Sequence, residues 1–497
     1  AGDDVIVRGR GLAAVDLTGR LTEGRGGRFE ALDGGGLRYL PSGREPVLHL
    51  GSRRGVPYRS KITSQVVGEP VELEYLGPEF HRWVASLDRP LDFERDAWPR
   101  IAAEMLTGYY RELFTGHPER VVGTWAEFAA SLREILAAEG GFESAELLSL
   151  IHARVPHPDD RFDLASFDRP LDAAAVAELP APHTPPGSQS PTSPTPLNLP
   201  GSQSPLSFAP LNPPGSQSPA FRAPIGVFVT RDAGELPAQG RAEQPTAPST
   251  ELSAEAVQQR VRAHIAQDLR QRTRQQHSAT QALFLTLLFS YMSLSEVPAE
   301  RWNARSRTRS LPKRWHSYFS YLASGPPGHR LDELLALSEA GVVEFLGGDV
   351  TLTLDDAAGQ FVAGGSARTD LGVARTRVAA RTLIDAWLPE ARATASDNPL
   401  LRQLVASGQA RELSVTDGAF NGSTGQIEVD EFGALPDSPR QFTVGPFTSL
   451  PGAGAFTRPG LNSLPFRVHD RRARSILEAV RSVAAARSEA REFAPAQ

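Results

Sequence analysis

The clearest pattern of apolar positions lies at the start of the chain, where a short apolar run leads directly into a glycine-rich turn. Residues 5–7 are all apolar, which is typical of a strand buried on both faces. The turn that follows places Gly9, Gly11 and Ala14 at the fixed positions of a G-x-G-x-x-A pattern. The residues after the turn are favourable for a helix, so the sequence predicts a strand–turn–helix unit.

Each small residue of this pattern has a physical role in a turn that binds a dinucleotide. Gly9 permits the tight turn, Gly11 lets the backbone approach a pyrophosphate, and Ala14 keeps the helix close to the sheet. The helix N-terminus then directs free N–H groups at the phosphates. The alternative interpretation is a glycine-rich turn before an ordinary helix.

A second predicted strand, residues 46–50, ends in a polar loop that bears on cofactor choice. An acidic residue at this point would bind the ribose hydroxyls of NAD, whereas this loop carries Ser52, Arg53 and Arg54. Guanidinium groups match the charge and geometry of a 2′-phosphate, so the sequence predicts NADP(H). The alternative is a solvated loop. The long spacing from Gly9 is explained by a predicted β-hairpin inserted within residues 24–45.

The rest of the chain is predominantly helical and then turns to short strands. Helical periodicity covers residues 98–150, 253–275, 280–291 and 331–340, and strands are predicted at 342–345, 350–354 and 379–384. A meander of strands after such a βα unit, followed by an outgoing strand, is typical of a nicotinamide-binding domain. A final helix is predicted over residues 462–480.

Two segments have unusual composition. Residues 185–226 contain Pro-Gly-Ser-Gln-Ser-Pro three times with a period of fourteen residues, and so little apolar content predicts a disordered insert. A proline-rich ligand for a partner and an expanded repeat in a tolerant loop are the two interpretations. Residues 301–314 carry six basic side chains near two tryptophans, which is compatible with nucleic-acid binding, but a solvated loop is preferred.

Composition excludes several classes of protein. The formal net charge is −6, there is no cysteine, and the eleven histidines lack ligand-like spacing, so no nucleic acid, thiol chemistry or metal is expected. The longest apolar stretch is too short to span a bilayer and no leader pattern is present, so we expect a cytoplasmic protein without a membrane partner. No hydrolase motif and no P-loop occurs, and no catalytic residue is assigned. This is typical of an enzyme whose cofactor carries the chemistry.

Longer strings of residues resemble the bacterial FAD/NAD(P)-binding proteins, a family that includes flavin-dependent urate hydroxylases and N-hydroxylating aspartate monooxygenases. Members of that family carry a separate FAD-binding G-x-G-x-x-G well over a hundred residues before the turn seen here at Gly9. The chain is therefore expected to correspond to the C-terminal part of such a protein, without the N-terminal FAD-binding segment. The strings that carry the resemblance are residues 21–29, 37–46, 51–58, 322–327, 334–343, 442–448 and 456–463.

The resemblance implies an α/β flavoprotein with two dinucleotide-binding domains. The expected divisions are residues 1–180 (Rossmann-like NADP half with a helical extension), 185–226 (the repeat), 227–345 (helical), 346–395 (meander and closing strand) and 396–497 (return of the FAD domain). It also implies that FAD contacts Gly445, Pro459, Gly460 and Asn462. Leu461 departs from the small or hydroxyl-bearing residue usual at its position.

Two functions follow as hypotheses. The first is an FAD- and NADPH-dependent oxidoreductase, a monooxygenase that uses O₂ to hydroxylate a small-molecule substrate. The second is a non-catalytic NADP-binding or scaffold protein derived from that family, with the repeat as an interaction element. The sequence does not indicate the substrate.

Overall fold

The apolar run at residues 5–7 forms the first strand of the main sheet. The computed structural model describes residues 2–172, 254–387, 392–418, 420–445, 447–449 and 464–492. The strands are β1 (Asp4–Arg8), β2 (Arg28–Ala31), β3 (Leu37–Leu40), β4 (Val47–Gly51), β5 (Val343–Asp355), β6 (Gln360–Thr369), β7 (Gly372–Ala380), β8 (Thr382–Asp385), β9 (Glu412–Asp417), β10 (Phe420–Ile427), β11 (Ala434–Leu435) and β12 (Ser438–Phe442).

Helices connect and cover these strands. The α-helices are α1 (Leu12–Leu21), α2 (Pro78–Ser86), α3 (Trp98–Gly116), α4 (Trp125–Ala137), α5 (Ala145–Arg154), α6 (Leu164–Asp168), α7 (Ala254–Thr273), α8 (Ala279–Ser295), α9 (His316–Ala323), α10 (Gly328–Glu339), α11 (Pro399–Ala406) and α12 (Leu464–Glu492), and π-helical turns cover Phe93–Ala97 and Ser306–Trp315. The centre of α3 is buried on all sides, because it packs between α8 and α4.

The main sheet has six strands in the order β7-β6-β5-β4-β1-β8. The four strands β5, β4, β1 and β8 are parallel, and β5, β6 and β7 form an antiparallel meander. The fold is therefore mixed α/β with a mainly parallel sheet, compatible with a Rossmann-like fold. The inserted hairpin predicted before β4 is confirmed as the pair β2–β3. The two-domain organisation stays a prediction.

Register brings three strand ends together at one edge of the sheet. Arg8, the last residue of β1, is paired with Gly51 at the end of β4 and with Asp385 at the end of β8. The chain leaves β1 towards β4 on one side and returns through β8 on the other. In parallel sheets, ligands bind at the carboxyl ends of strands where the order reverses in this way.

The meander differs from the sequence-based expectation. The strands predicted at residues 342–345 and 350–354 are one strand, β5, which crosses the expected boundary at residue 345. Gly347 and Asp349 adopt positive φ angles of 89° and 46°, so the interruption is a bulge within the strand and not a chain reversal. The strand predicted at 379–384 is wrong as a unit, because it spans the end of β7 and the start of β8, and β6 was not predicted.

The basic segment 301–314 is not the solvated loop that was predicted. Its second half is the π-helical turn Ser306–Trp315, in which Ser306, Thr308 and Ser310 are buried. The Ser306 hydroxyl accepts a hydrogen bond from the backbone N–H of Phe93 at 2.8 Å, so small hydroxyl side chains let this segment pack closely. Apolar periodicity does not reveal such a segment, because the side chains that face inward are polar.

The remaining differences concern the chain's final segment and the insert. The last helix extends to Glu492, well past the predicted residue 480, because its Ala- and Arg-rich end has little apolar periodicity to mark it. The repeat at residues 185–226 lies outside the described residues.

Candidate nucleotide-binding site

The turn after β1 has the geometry that its glycines predict. Gly9 has a φ of +123°, and its N–H donates to the carbonyl of Gly51 at 2.9 Å. A Cβ atom at this position would lie 2.4 Å from the carbonyl oxygen of Ala386, just after β8. The backbone conformation and the contact with β8 both require glycine here.

The helix that follows the turn begins with an open N-terminus. Gly11 is its N-cap residue, no side chain caps it, and its first turn contains no acidic residue. Leu12 is 45% exposed, whereas Ala14 is buried against the sheet, as the motif requires. The first N–H groups of an α-helix lack backbone partners and carry partial positive charge, so this N-terminus is suited to bind a phosphate.

Two residues that the sequence did not single out complete the turn. The buried Arg10 guanidinium donates to the carbonyls of Leu50 and Gly55, and burial lowers the pKa of Arg10 to about 9, so it remains charged at neutral pH. A Cβ atom on Gly11 would lie 3.6 Å from the ring of Tyr58, which therefore forms a wall beside the turn. Arg10 lies between the two glycines of the motif. Neither the sequence around Arg10 nor the sequence around Tyr58 indicates these contacts.

The loop after β4 is held in place by its own residues and by the meander. The Ser52 hydroxyl accepts a hydrogen bond from the N–H of Gly55 at 3.1 Å. The backbone N–H of Asp349, in the bulge of β5, donates to the carbonyl of Arg53 at 2.9 Å. Gly55 has a φ of +72° and lies directly against Gly347. The meander therefore fixes the conformation of the arginine loop.

The two arginines of this loop have different environments. Arg54 donates to the carboxylate of Asp168 at 2.7 and 3.0 Å and stacks on Tyr321, with 11% of its side chain exposed. The side chain of Arg53 is exposed, and partial burial together with the charge of Arg54 lowers its pKa. The sequence alone does not distinguish the two arginines. Arg54 is held by contacts within the protein, whereas Arg53 is exposed to solvent in the loop after β4.

The residues expected to contact FAD are only partly described. Gly445 lies in an exposed turn after β12, has a φ of +119°, and accepts a hydrogen bond from the hydroxyl of Thr448 at 2.9 Å. A Cβ atom there would meet nothing within 4 Å, so the backbone at Gly445 is open on that side. Pro459, Gly460 and Asn462 lie outside the described residues.

Two other kinds of feature are absent from the described residues. No group of three or more His, Cys, Asp or Glu side chains in this part of the chain is arranged to hold a metal ion. Within the same residues, none of the helices combines the length and the apolar character needed to cross a bilayer.

The mixed α/β fold is compatible with a Rossmann-like fold, and comparison with known proteins adds a chemical context. The chain is 27% identical over 493 residues to an L-aspartate N-monooxygenase (nitrosuccinate-forming) of Streptomyces davaonensis, with 96% of this chain covered. It is 28% identical over 484 residues to the enzyme of the same name from Streptomyces cremeus, and 27% identical over 492 residues to a nitrosuccinic acid synthase of Aspergillus oryzae.

These alignments cover 62%, 59% and 61% of the respective relatives, so the chain spans about three fifths of their length. They cover 93% to 96% of this chain. No protein-family model matches the chain.

Proposed function

We propose that the edge formed by β4, β1 and β8 binds NADPH. The turn at Gly9 and Gly11 and the N-terminus of α1, kept close by Ala14, would hold the pyrophosphate. The exposed guanidinium of Arg53 would bind the 2′-phosphate of the adenosine ribose. The observation that supports the proposal is the position of Arg53, which is exposed two residues after the end of β4, the strand paired with β1 before the uncapped helix.

Ser52 and Arg54 serve this site indirectly in our proposal. The Ser52 hydroxyl closes the loop on Gly55, and Arg54 ties the loop to Asp168. Both contacts reduce the conformational freedom that Arg53 would lose on binding. A loop ordered in advance binds its ligand more tightly, because less entropy is lost on association.

We further propose that this chain is part of an NADPH- and flavin-dependent monooxygenase that acts on a small molecule with O₂. Support comes from relatives named as aspartate N-monooxygenases that align with nearly the whole chain. Bound FAD would supply the redox chemistry, and the residues at the ends of β1, β4 and β8 would bind and orient the reductant. The proposed flavin contacts are Gly445, Pro459, Gly460 and Asn462, by resemblance. An amino acid such as L-aspartate is the first substrate to test.

Replacing Arg53 with alanine tests the proposed phosphate contact. We expect the Kd for NADPH to rise about tenfold, the loss of one charge-assisted contact, while the Kd for NADH changes less than twofold. The measurement is equilibrium titration of the full chain with each nucleotide.

Arg54→Ala is the matched control, because it removes the neighbouring guanidinium. We expect it to lower the midpoint of thermal unfolding, because Asp168 loses its partner. We also expect it to lower the affinity for NADPH and for NADH to a similar extent. If Arg53→Ala lowers the affinity for both nucleotides equally, or for neither, the assignment of the 2′-phosphate to Arg53 is contradicted.

A further inference from the structure

A second group of exposed side chains lies on the β8 side of β1, at the same carboxyl ends of the strands. Arg8 and Asp385 are register partners on β1 and β8, and their side chains form a two-point ion pair, with Nε–Oδ1 and Nη2–Oδ2 distances of 2.6 and 2.8 Å. The pair is 40% and 42% exposed. Two charged side chains at neighbouring strand ends thus neutralise and orient each other.

Trp387 lies next to this ion pair and contacts it through Arg8. The Arg8 guanidinium carbon is 4.8 Å from the centre of the Trp387 ring, a cation–π arrangement that covers one face. The residue is nevertheless 53% exposed. Arg8 therefore helps to orient the ring, while more than half of the residue's surface stays accessible to solvent.

The position of Trp387 relative to the phosphate turn makes this exposure informative. Isolated exposed apolar residues are common and need no explanation by themselves. Trp387, however, directly follows Ala386, whose carbonyl oxygen is the atom that a Cβ on Gly9 would strike. The N–H of Ala386 also donates to the carbonyl of Arg8 at 2.9 Å, so the segment that bears the indole is fixed to the turn.

The sheet order sets the direction in which a dinucleotide would extend. Arg53 follows β4, on one side of β1, and Trp387 follows β8, on the other side. Adjacent strands are about 4.8 Å apart, so β4 and β8 are separated by roughly 10 Å across β1. With the pyrophosphate at Gly9 and the 2′-phosphate at Arg53, the nicotinamide half of the cofactor must extend over the end of β8.

We propose that the exposed indole of Trp387 stacks against the nicotinamide half of NADPH, with the Arg8–Asp385 ion pair as the support that orients the indole. This inference rests on the NADPH site proposed above and deepens it, because it assigns a positioning residue to the half of the cofactor that Arg53 does not reach. Stacking of a base on an aromatic side chain contributes substantially to binding in nucleic-acid complexes, and the same physics applies to a nicotinamide ring.

The test compares two ligands that share only the adenosine half of the cofactor. NADPH contains both halves, whereas adenosine 2′,5′-bisphosphate keeps the 2′-phosphate and lacks the nicotinamide. The full chain is titrated with each ligand as wild type, Trp387→Ala and Trp387→Phe. We expect Trp387→Ala to raise the Kd for NADPH about tenfold and to leave that for the bisphosphate within twofold. Trp387→Phe retains a stacking face and should recover most of the NADPH affinity.

Trp83→Ala is the matched control, since the Trp83 ring also carries an arginine, Arg100, whose guanidinium carbon lies 4.1 Å from its centre. We expect this variant to bind both ligands as wild type does. Unchanged NADPH affinity in Trp387→Ala overturns the inference, and so does equal weakening of both ligands, which indicates a structural role. Wild-type chain that binds neither ligand overturns the NADPH site itself, and wild-type chain that binds only the bisphosphate overturns the Trp387 contact alone.

Discussion

Gly9→Ala is expected to destabilise the folded chain by about 3 kcal/mol or more and to abolish NADPH binding. A φ of +123° is strained for any residue with a Cβ atom, and that atom would lie 2.4 Å from the Ala386 carbonyl oxygen. Relief requires β1 and β8 to separate, which would also disturb the edge where the cofactor is proposed to bind. Chemical denaturation and NADPH titration measure the two effects.

Gly19→Ala is the control for this substitution. Gly19 lies within α1, and a Cβ atom there would meet nothing within 4 Å. Alanine in a helix interior is favoured over glycine by up to about 1 kcal/mol, so this variant should be as stable as the wild type or more stable. If Gly9→Ala unfolds at the same denaturant concentration as Gly19→Ala, the close approach of the turn to β8 is wrong.

Asp268→Ala is expected to cost about 3–5 kcal/mol of stability, because it leaves a buried guanidinium without its counter-charge. The Asp268 side chain is 2% exposed and accepts hydrogen bonds from Arg59 at 3.2 Å and from the backbone N–H of Ser60 at 2.8 Å. This contact joins α7 to the segment that follows the arginine loop. The free energy of unfolding from denaturant titration measures the loss.

Asp172→Ala removes an exposed ion pair for comparison. Arg169 and Asp172 are 3.1 Å apart with 61% and 49% of their side chains exposed, so the loss should be under about 1 kcal/mol. The double replacement Arg59→Met with Asp268→Leu should recover part of the stability that Asp268→Ala loses, because the Arg59 charge is removed together with its partner. The recovery is incomplete, since the buried Arg272 also loses the favourable charge of Asp268. Equal losses in Asp268→Ala and Asp172→Ala would contradict the buried pairing.

The sequence predicts the βα unit well because that unit is encoded locally. Three consecutive apolar residues predict a strand buried on both faces, and few other residues can replace Gly9 and Gly11 at such a turn. The hairpin before β4 and several helices are confirmed for the same reason. Each depends on residues that are neighbours in the chain.

Features set by distant contacts were not predictable in this way. Arg53 and Arg54 are adjacent and chemically identical, and they are distinguished by Tyr321 and by Asp168, which lies 114 residues from Arg54. Trp387 is placed beside the phosphate turn by the return of β8 to β1, which no local pattern shows. The π-helical turn Ser306–Trp315 was missed because its buried side chains include hydroxyl groups that are typical of surface positions.

The proposal that this chain binds NADPH is tested most directly by equilibrium titration of all 497 residues with NADPH and, separately, with NADH. We expect NADPH to saturate a single site with a Kd about tenfold or more below that for NADH, since Arg53 can pair only with the 2′-phosphate that NADH lacks. Equal affinity for the two nucleotides, or no saturable binding of NADPH, would contradict the proposed site.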